Sequence, residues 1–308
     1  SIYFSFDASG FRRHARGFEP HDLDVDMAGK RCLVTGANSG IGFATAEALA
    51  RRGAEVWLLC RNAERGRAAE TALRERTGNP SVRLEVLDVS SLEAVRAWVR
   101  GCPAGSIDVL VHNAGVLPHE RRLTVDSLET TFATHVAGPF LLTQLLRERL
   151  EAAPRARVIW VSSGGMYTQR LSLDDLDWSR RTYEGVVAYA QTKRAQVVLS
   201  EELAKRWGEG VVFHAMHPGW ADTLAVQATL PGFWRFTQGR LRTPAEGADT
   251  VTWLAVAEAP GGSTGSFWFD RQERSTYLLP RTRERQVDRV ALWDRCEQVI
   301  AERTEASQ

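Results

Sequence analysis

The octapeptide Thr35-Gly36-Ala37-Asn38-Ser39-Gly40-Ile41-Gly42 lies between a short apolar run, Arg31–Thr35, and apolar residues at helical spacing that begin with Ile41. Glycines let such a turn be tight and bring backbone amides close to a pyrophosphate, and the N-terminus of the following helix adds a partial positive charge. A glycine-rich turn is a weak signal alone, but the strand–turn–helix context favours a dinucleotide site. We predict cofactor contacts from Gly36, Asn38, Ser39, Gly40, Ile41 and Gly42.

Strands and helices alternate along the chain on both sides of this motif. Continuous apolar runs predict five further strands, at residues 55–60, 82–87, 107–112, 157–162 and 211–216. Helical periodicity predicts helices between them, including a long one over 124–150 and another over 183–207. Strands that alternate with helices pair in parallel and are buried on both faces. The sequence thus predicts an α/β fold, a Rossmann-type doubly wound parallel sheet in three layers and a single domain.

Two segments lie outside this alternation. Residues 1–29 form a predicted N-terminal extension that mixes aromatic and arginine side chains, and residues 270–308 form a predicted C-terminal extension with a basic loop and a final helix. The dinucleotide-binding domain with its substrate loops is expected to span residues 30–269.

Basic and acidic side chains nearly cancel, with 39 lysines and arginines against 38 aspartates and glutamates. Nucleic-acid binding needs a basic surplus to neutralise phosphates, so we expect no nucleic-acid partner. No apolar run of about 18 residues is present, which predicts no membrane-spanning helix, and the chain does not begin with a cleavable signal pattern. These features, with four cysteines that form no CxxC pair, predict a cytoplasmic protein with buried free thiols.

A metal site is not predicted. His214 and His217 are three residues apart on a predicted strand, where such side chains point to opposite faces, and no third ligand is near them in the sequence.

The end of the second strand usually decides between NAD and NADP, because a carboxylate there binds the ribose hydroxyl and a basic residue accommodates the 2′-phosphate. Here Cys60 is followed by Arg61, and no acid stands at the strand end. We therefore predict NADP(H) in preference to NAD(H). Further cofactor contacts are predicted at two strand ends that would also suit ordinary turns, Asp88-Val89 and Asn113-Ala114-Gly115.

Tyr189-Ala190-Gln191-Thr192-Lys193 places a phenol and an ammonium at i and i+4, on one face of a predicted helix. Taken alone, such a pair is more simply an exposed tyrosine beside a lysine, but this chain has only three lysines. A cation about 4 Å away favours the phenolate by about 4 kcal/mol at an effective dielectric near 20, which is about three pKa units. Tyr189 is thus a candidate acid or base, and Ser163 a candidate to hold the substrate oxygen.

In their order and spacing these motifs resemble the short-chain dehydrogenase/reductase superfamily over about residues 30–260. The resemblance is carried by Thr35–Gly42, Asn113–Gly115, Ser163, Tyr189-x-x-x-Lys193 and Pro218-Gly219. It implies an oxidoreductase that transfers a hydride between NADP(H) and an alcohol or carbonyl group. The interval between Ser163 and Tyr189 is long and resembles the corresponding interval in the retinol-dehydrogenase-like branches of the superfamily.

The resemblance also implies roles for single residues. Tyr189 would be the acid/base, Lys193 would bind the nicotinamide ribose and lower the tyrosine pKa, and Ser163 would orient the carbonyl. Further cofactor contacts are implied at Asp88, Asn113, Tyr189, Lys193, Pro218, Gly219 and Thr223, with Asp88 and Asn113 at the adenosine half and Thr223 at the nicotinamide carboxamide.

One position departs from the superfamily pattern. His135 stands where the superfamily carries a catalytic asparagine that holds a water between the lysine and solvent. A neutral imidazole can accept one hydrogen bond and donate another, so we expect His135 either to hold that water and titrate near neutrality, or to be merely packed in the helix.

Bulky side chains are dense in two predicted substrate loops, at residues 166–183 and 220–236. The run Gly232-Phe233-Trp234-Arg235-Phe236 favours a lid over an apolar pocket. We therefore expect a hydrophobic alcohol, aldehyde or ketone as the small-molecule partner, and a homo-oligomer is left open.

Two other functions stay open. One is a catalytically weak NADP(H)-binding regulatory protein, motivated by His135. The other is a peripheral membrane protein with weak membrane contact through residues 1–18, where several aromatic side chains accompany arginines.

Overall fold

Short runs rich in β-branched, leucine and aromatic side chains form one eight-stranded sheet. The structure is a computed structural model that describes residues 5–222, 231–237, 239–278 and 280–305. The strands are β1 Arg31–Thr35, β2 Glu55–Cys60, β3 Val82–Val86, β4 Val109–His112, β5 Ala156–Val161, β6 Val211–Met216, β7 Ser266–Phe269 and β8 Gln272–Glu273. Their order is β3-β2-β1-β4-β5-β6-β7-β8. All neighbours pair in parallel except β7 and β8, which are antiparallel.

Helices cover both faces of this sheet. In chain order they are α1 Ala8–Ala15, α2 Gly40–Ala50, α3 Ala63–Thr77, α4 Leu92–Gly101, α5 Thr130–Phe132, α6 Gly138–Leu145, α7 Arg147–Glu151, α8 Gly185–Trp207, α9 Pro231–Thr237, α10 Pro244–Val256 and α11 Gln286–Glu305. Helices α2, α3 and α10 pack on one face, and α4, α6, α8 and α11 on the other. The result is the predicted three-layer, single-domain Rossmann-type fold.

Alternate residues of the central strands face the two halves of the core. Cys32 and Val34 of β1 point into one apolar cluster, whereas Leu33 between them points into the other. Burial on both faces explains why these strands are continuous apolar runs. The four cysteines are buried and free, as predicted.

The helix predicted over 124–150 is wrong in its extent and regularity. It begins only at Thr130, where the Glu129 carboxylate accepts hydrogen bonds from the Thr131 and Phe132 amides. The segment Ala133–Ala137 is a π turn between α5 and α6. Pro139, early in α6, has no N–H to donate to the fourth residue before it, and such a position disturbs a regular α-helix.

The final helix predicted in the C-terminal extension is α11. Leu292 and Trp293 are buried, but Val287 and Val290 are exposed because the helix turns the opposite stripe towards α8. In the described ranges, no helix combines the length and apolar character needed to cross a membrane.

Candidate active site

The glycine-rich turn between β1 and α2 requires glycine at several positions, because of its backbone conformation and its close contacts. Gly36 and Gly40 have φ of +65° and +57°, in the left-handed region that favours glycine. A Cβ on Gly42 would overlap the Asn113 side-chain nitrogen and the Gly36 carbonyl oxygen. The turn leads into the N-terminus of α2, so its shape and dipole fit a pyrophosphate.

The other predicted members of this turn differ in how they are placed. Ser39 is exposed at the N-cap of α2 and its side chain makes no capping hydrogen bond, and Asn38 is partly exposed. The Ile41 side chain instead lies against Gly247 of α10. Ile41 can therefore meet a cofactor through its backbone, while its side chain joins two helices.

Asn113 braces the glycine turn from the end of β4. Its amide Nδ2 donates to the Thr35 carbonyl at 2.9 Å and to the Gly36 carbonyl at 3.3 Å. The backbone amides of Asn113 and Ala114 both donate to the Thr35 hydroxyl, at 2.9 and 3.0 Å. The Asn113 Nδ2 group therefore donates to the glycine turn and stabilises its shape. It does not point its NH₂ group at an adenosine.

Arg61, at the end of β2, faces the end of β3. Its Nη1 lies 4.0 Å from Asp88 Oδ2, and the Arg61 side chain is 64% exposed. The other Asp88 oxygen accepts from the Ser90 amide and hydroxyl, at 3.0 and 2.7 Å. The next residue, Ser91, caps α4 by accepting from the Ala94 amide.

Val89 has a packing role next to Asp88. Its carbonyl oxygen lies against Gly138, where a Cβ would overlap it. This close approach fixes α6 against the end of β3.

Ser163, Tyr189 and Lys193 meet at the carboxyl end of β5. Tyr189 is partly exposed and its phenol is hydrogen-bonded to Ser163, whereas Lys193 is only 3% exposed. The Lys193 Nζ lies 5.6 Å from the centroid of the Tyr189 ring and donates to the Val161 carbonyl at 2.8 Å. The structure thus brings together the phenol, ammonium and hydroxyl that the sequence singled out.

Burial governs the titration of this pair. It raises the pKa of Tyr189, and the hydrogen bond with Ser163 offsets this only in part. Burial also lowers the pKa of Lys193 to about 7. The expected lowering of the tyrosine pKa by Lys193 does not hold here, because the ammonium donates to Val161 rather than to the phenol. Tyr189 is therefore a protonated phenol at neutral pH.

His135 lies in the π turn with both ring nitrogens engaged by protein. The Val116 amide donates to Nε2 at 2.9 Å, so the ring proton is on Nδ1, which faces the Thr192 hydroxyl at 2.8 Å. That hydroxyl donates in turn to the Tyr189 carbonyl at 2.9 Å. Burial, and then the charge of Lys193, hold the His135 pKa well below its ordinary value. The hypothesis of a water-holding, titrating His135 is therefore wrong, and the ring is a neutral strut.

Gly115 lies close to both the His135 ring and the Lys193 ammonium group. A Cβ on it would lie 3.2 Å from His135 Nε2 and 3.8 Å from Lys193 Nζ. The loop after β4 can therefore pass close to both groups only with a small residue.

Pro218 and Gly219 follow β6 and rest on a buried arginine. Gly219 has φ of +78°, and a Cβ there would overlap the Arg242 guanidinium, which also donates to the Pro218 carbonyl at 3.4 Å. Thr223 lies outside the described residues. The run 232–236, predicted as a loop, falls within helix α9, and the Phe233 and Phe236 side chains are outside the described part.

The N-terminal segment, residues 5–18, forms a strap across the ends of β6 and β7. Trp220 donates its amide to the Phe6 carbonyl at 2.7 Å, and Ala8 donates to the Arg240 carbonyl at 2.8 Å. The Phe6 ring is buried between His217 and other aromatic side chains. The described part of the strap therefore directs aromatic side chains into the protein body.

A cavity of about 360 Å³ lies under this strap. Its lining is mostly apolar and consists of Ser5, Phe6, His14, Tyr167, His217, Phe269, Arg274, Ser275 and Leu278. Because the Gly164 amide donates to His217 Nδ1 at 3.0 Å, the cavity adjoins the segment that carries Ser163. Across the described residues, no group of three or more side chains suited to a metal ion occurs.

Several residues of the site were missed from sequence. Thr192 lies inside the Tyr189–Lys193 motif and Thr35 ends β1, so their positions pointed to the site without indicating their bonds. Gln196 and Arg242 carried a weaker signal, since a buried glutamine or arginine is recognised only when its partners are known.

Comparisons with known proteins agree with this geometry. A family model described as short chain dehydrogenase matches residues 30–231. The chain is 42% identical over 280 residues to Dehydrogenase/reductase SDR family member 12 of Bos taurus, which covers 90% of this chain and 88% of that protein. It is 37% identical over 265 residues to Retinol dehydrogenase 12 of Homo sapiens, covering 84% and 83%.

Among solved structures, an uncharacterised protein from Mycobacterium paratuberculosis superposes with a TM-score of 0.73 at 30% identity, covering 91% of this chain and 97% of that one. The family match spans the glycine-rich turn, the strand ends and the tyrosine–lysine helix described above. The chain is therefore a member of the short-chain dehydrogenase/reductase family, whose members are oxidoreductases that use a nicotinamide cofactor.

Proposed function

We propose that this chain is an NADP(H)-dependent oxidoreductase that acts on hydrophobic aldehydes, ketones or the corresponding alcohols, with Tyr189 as the acid/base. The observation that carries the proposal is the hydrogen-bonded Ser163–Tyr189 pair with the buried Lys193 ammonium beside the ring. All three stand at the carboxyl edge of the sheet, next to the glycine cradle. Ligands of open α/β sheets bind at that edge.

The two hydroxyl groups can share one substrate oxygen. Ser163 and Tyr189 are mutual neighbours, so an oxygen placed between them accepts a hydrogen bond from each. A bound nicotinamide would supply or accept the hydride at the substrate carbon. Tyr189, which its raised pKa keeps protonated, would donate its proton to the substrate oxygen during reduction. Lys193, when protonated, would stabilise the phenolate that remains.

The substrate class is inferred from the cavity under the strap, whose His217 accepts a hydrogen bond from the amide of Gly164, the residue after Ser163. A volume of about 360 Å³ lies within the range of small-molecule sites. Phe6, Tyr167, Phe269 and Leu278 give it an apolar wall. Turnover should therefore rise with the apolar size of the carbonyl substrate.

A panel of carbonyl compounds tests this function. NADPH consumption at saturating cofactor should be faster, by kcat/KM, with extended apolar and aromatic aldehydes than with acetaldehyde or glyceraldehyde. Tight NADPH binding without turnover on the whole panel would instead favour the regulatory, catalytically weak alternative. No NADPH binding would overturn the proposal.

NADP selectivity is assigned to Arg61. No acid stands at the end of β2, and Arg61 is exposed, with Asp88 at 4.0 Å as its ion-pair partner among the described residues, so its guanidinium can meet a 2′-phosphate. A hydrogen bond to a charged group is worth about 1.5–3 kcal/mol. We expect Arg61→Ala to weaken NADPH binding by about tenfold or more and to leave NADH binding nearly unchanged.

The control for this variant is Arg100→Ala, which removes an exposed charge of α4 that pairs with Glu93. It should leave both dissociation constants unchanged. Equal affinities of the parent protein for NADPH and NADH, measured by fluorescence titration, would contradict the assignment.

A further inference from the structure

The carbonyl oxygen of His135 lacks the donor that it would have in a regular α-helix. In a regular helix the amide four residues later would donate to it, but that residue is Pro139, which has no N–H. Gly138, at the end of the π turn, donates to the Ala133 carbonyl. Buried carbonyls are normally paired, and a side chain can supply the hydrogen bond that Pro139 cannot.

Gln196 supplies it. This fully buried side chain, one turn after Lys193 on α8, donates from Nε2 to the His135 carbonyl at 2.9 Å. Its Oε1 accepts from Lys193 Nζ at 3.1 Å. Only one orientation of the amide serves both partners, since a carbonyl must receive a donor and an ammonium must receive an acceptor.

The ammonium is thus fixed by two acceptors of the protein. One is the Val161 carbonyl at the end of β5, and the other is Gln196 on its own helix. The titratable side chains that face it in the described part of the chain are Tyr189 on α8 and His135 on the π turn. Neither His135 in its neutral form nor the protonated Tyr189 phenol neutralises the ammonium.

We propose that Gln196 is a positioning residue, whose amide ties the Lys193 ammonium to the carbonyl to which Pro139 cannot donate, and thereby favours the charged form of the lysine and holds it in place. Its effect on catalysis rests on the proposed function, because Lys193 touches the reacting groups and Gln196 acts only through it. A glutamine that merely filled space would leave the lysine titration unchanged.

The three lysines of the chain make the test direct. In the cofactor-free protein labelled with ¹³C at lysine Cε, the Lys193 resonance should titrate with a pKa of about 7. Lys30 and Lys205, which are partly exposed ion-pair members, provide the other two resonances. Gln196→Met keeps the side-chain length and removes the acceptor, so the Lys193 pKa should fall by about one unit or more. A circular dichroism spectrum equal to that of the parent reports that the variant is folded.

Gln196→Glu should not lower the Lys193 pKa, in contrast to Gln196→Met. An ionised glutamate attracts the ammonium, and a protonated one still offers an acceptor oxygen, so the Lys193 pKa should rise or stay near the parent value. General disruption of packing would move both variants in the same direction. A Lys193 pKa that is unchanged or raised in Gln196→Met would overturn the proposal, as would a fall in both variants.

NADPH binding provides the second measurement. At pH 7.5 Gln196→Met should lose affinity by several-fold relative to the parent and recover it as the pH is lowered, because the lysine regains its proton. Gln144→Met, a partly exposed change on α6, is the matched control and should behave as the parent. If the parent itself bound no NADPH, the proposed function would fail while the lysine titration still decided the role of Gln196.

Discussion

Tyr189→Phe should lower kcat by a factor of about 10² to 10⁴, the range by which a positioned general acid accelerates such reactions. The variant removes only the hydroxyl that meets Ser163. The ring keeps its edge contact with His135, at 5.4 Å between centroids, and its place beside Lys193. NADPH affinity should therefore stay within a few-fold of the parent value. The measurements are kcat at saturating NADPH and the dissociation constant of NADPH.

Tyr183→Phe is the matched control. Tyr183 lies two residues before α8, and its hydroxyl contacts Glu129 and Thr131 rather than Ser163. Its loss should cost some stability and leave kcat nearly unchanged. The acid/base would lie elsewhere if Tyr189→Phe kept the parental kcat on a verified substrate, or if Tyr183→Phe lowered kcat by the same factor as Tyr189→Phe.

The fold was predictable from the sequence because its main determinants are local. The glycine turn, the apolar strands and the intervening helices each carry their own periodicity, and parallel pairing follows from their alternation. The helix over 124–150 failed because its break comes from Pro139 and from the long-range partner of the His135 carbonyl, Gln196. Periodicity reports apolar spacing and contains no information about such partners.

The candidate site was likewise predictable where the signal is local and not where it depends on long-range contacts. Ser163, Tyr189 and Lys193 could be named from spacing, since each follows a strand end or shares a helix face. The direction of the tyrosine pKa shift could not, because it depends on how deeply the fold buries the phenol, and the Lys193 ammonium donates to Val161 instead. His135 was misread for a similar reason. Its identity allowed a water site, but the Val116 amide, nineteen residues away in sequence, takes the free ring nitrogen.

The second large effect is expected at Arg242, which joins the N-terminal strap to the loop after β6. Its guanidinium forms a two-bond pair with Asp270, at 2.6 and 2.8 Å, with both side chains 1% exposed. It also donates to the carbonyls of Ser5 and Asp7 in the strap, at 2.7 and 3.2 Å, and supports Pro218. One side chain therefore satisfies acceptors from three segments.

Arg242→Met should lower the free energy of unfolding by about 3–5 kcal/mol, because it leaves the Asp270 carboxylate buried without its main partner. That is a large share of the roughly 5–15 kcal/mol that stabilises a typical domain. The His14 ring, 2.6 Å from Asp270, can compensate only in part, since it is a single donor. Urea unfolding followed by circular dichroism measures the change.

Arg242→Met combined with Asp270→Asn separates the buried charge from the other lost bonds. Asp270 has φ of +50°, a conformation that asparagine tolerates, so the second change removes charge without adding backbone strain. The double variant should recover part of the lost stability, because no unpaired carboxylate remains in the core. Arg285→Met, at an exposed pair with Asp288, is the control and should leave the unfolding midpoint unchanged. A midpoint for Arg242→Met equal to that of the control would show that the strap is not held through this residue.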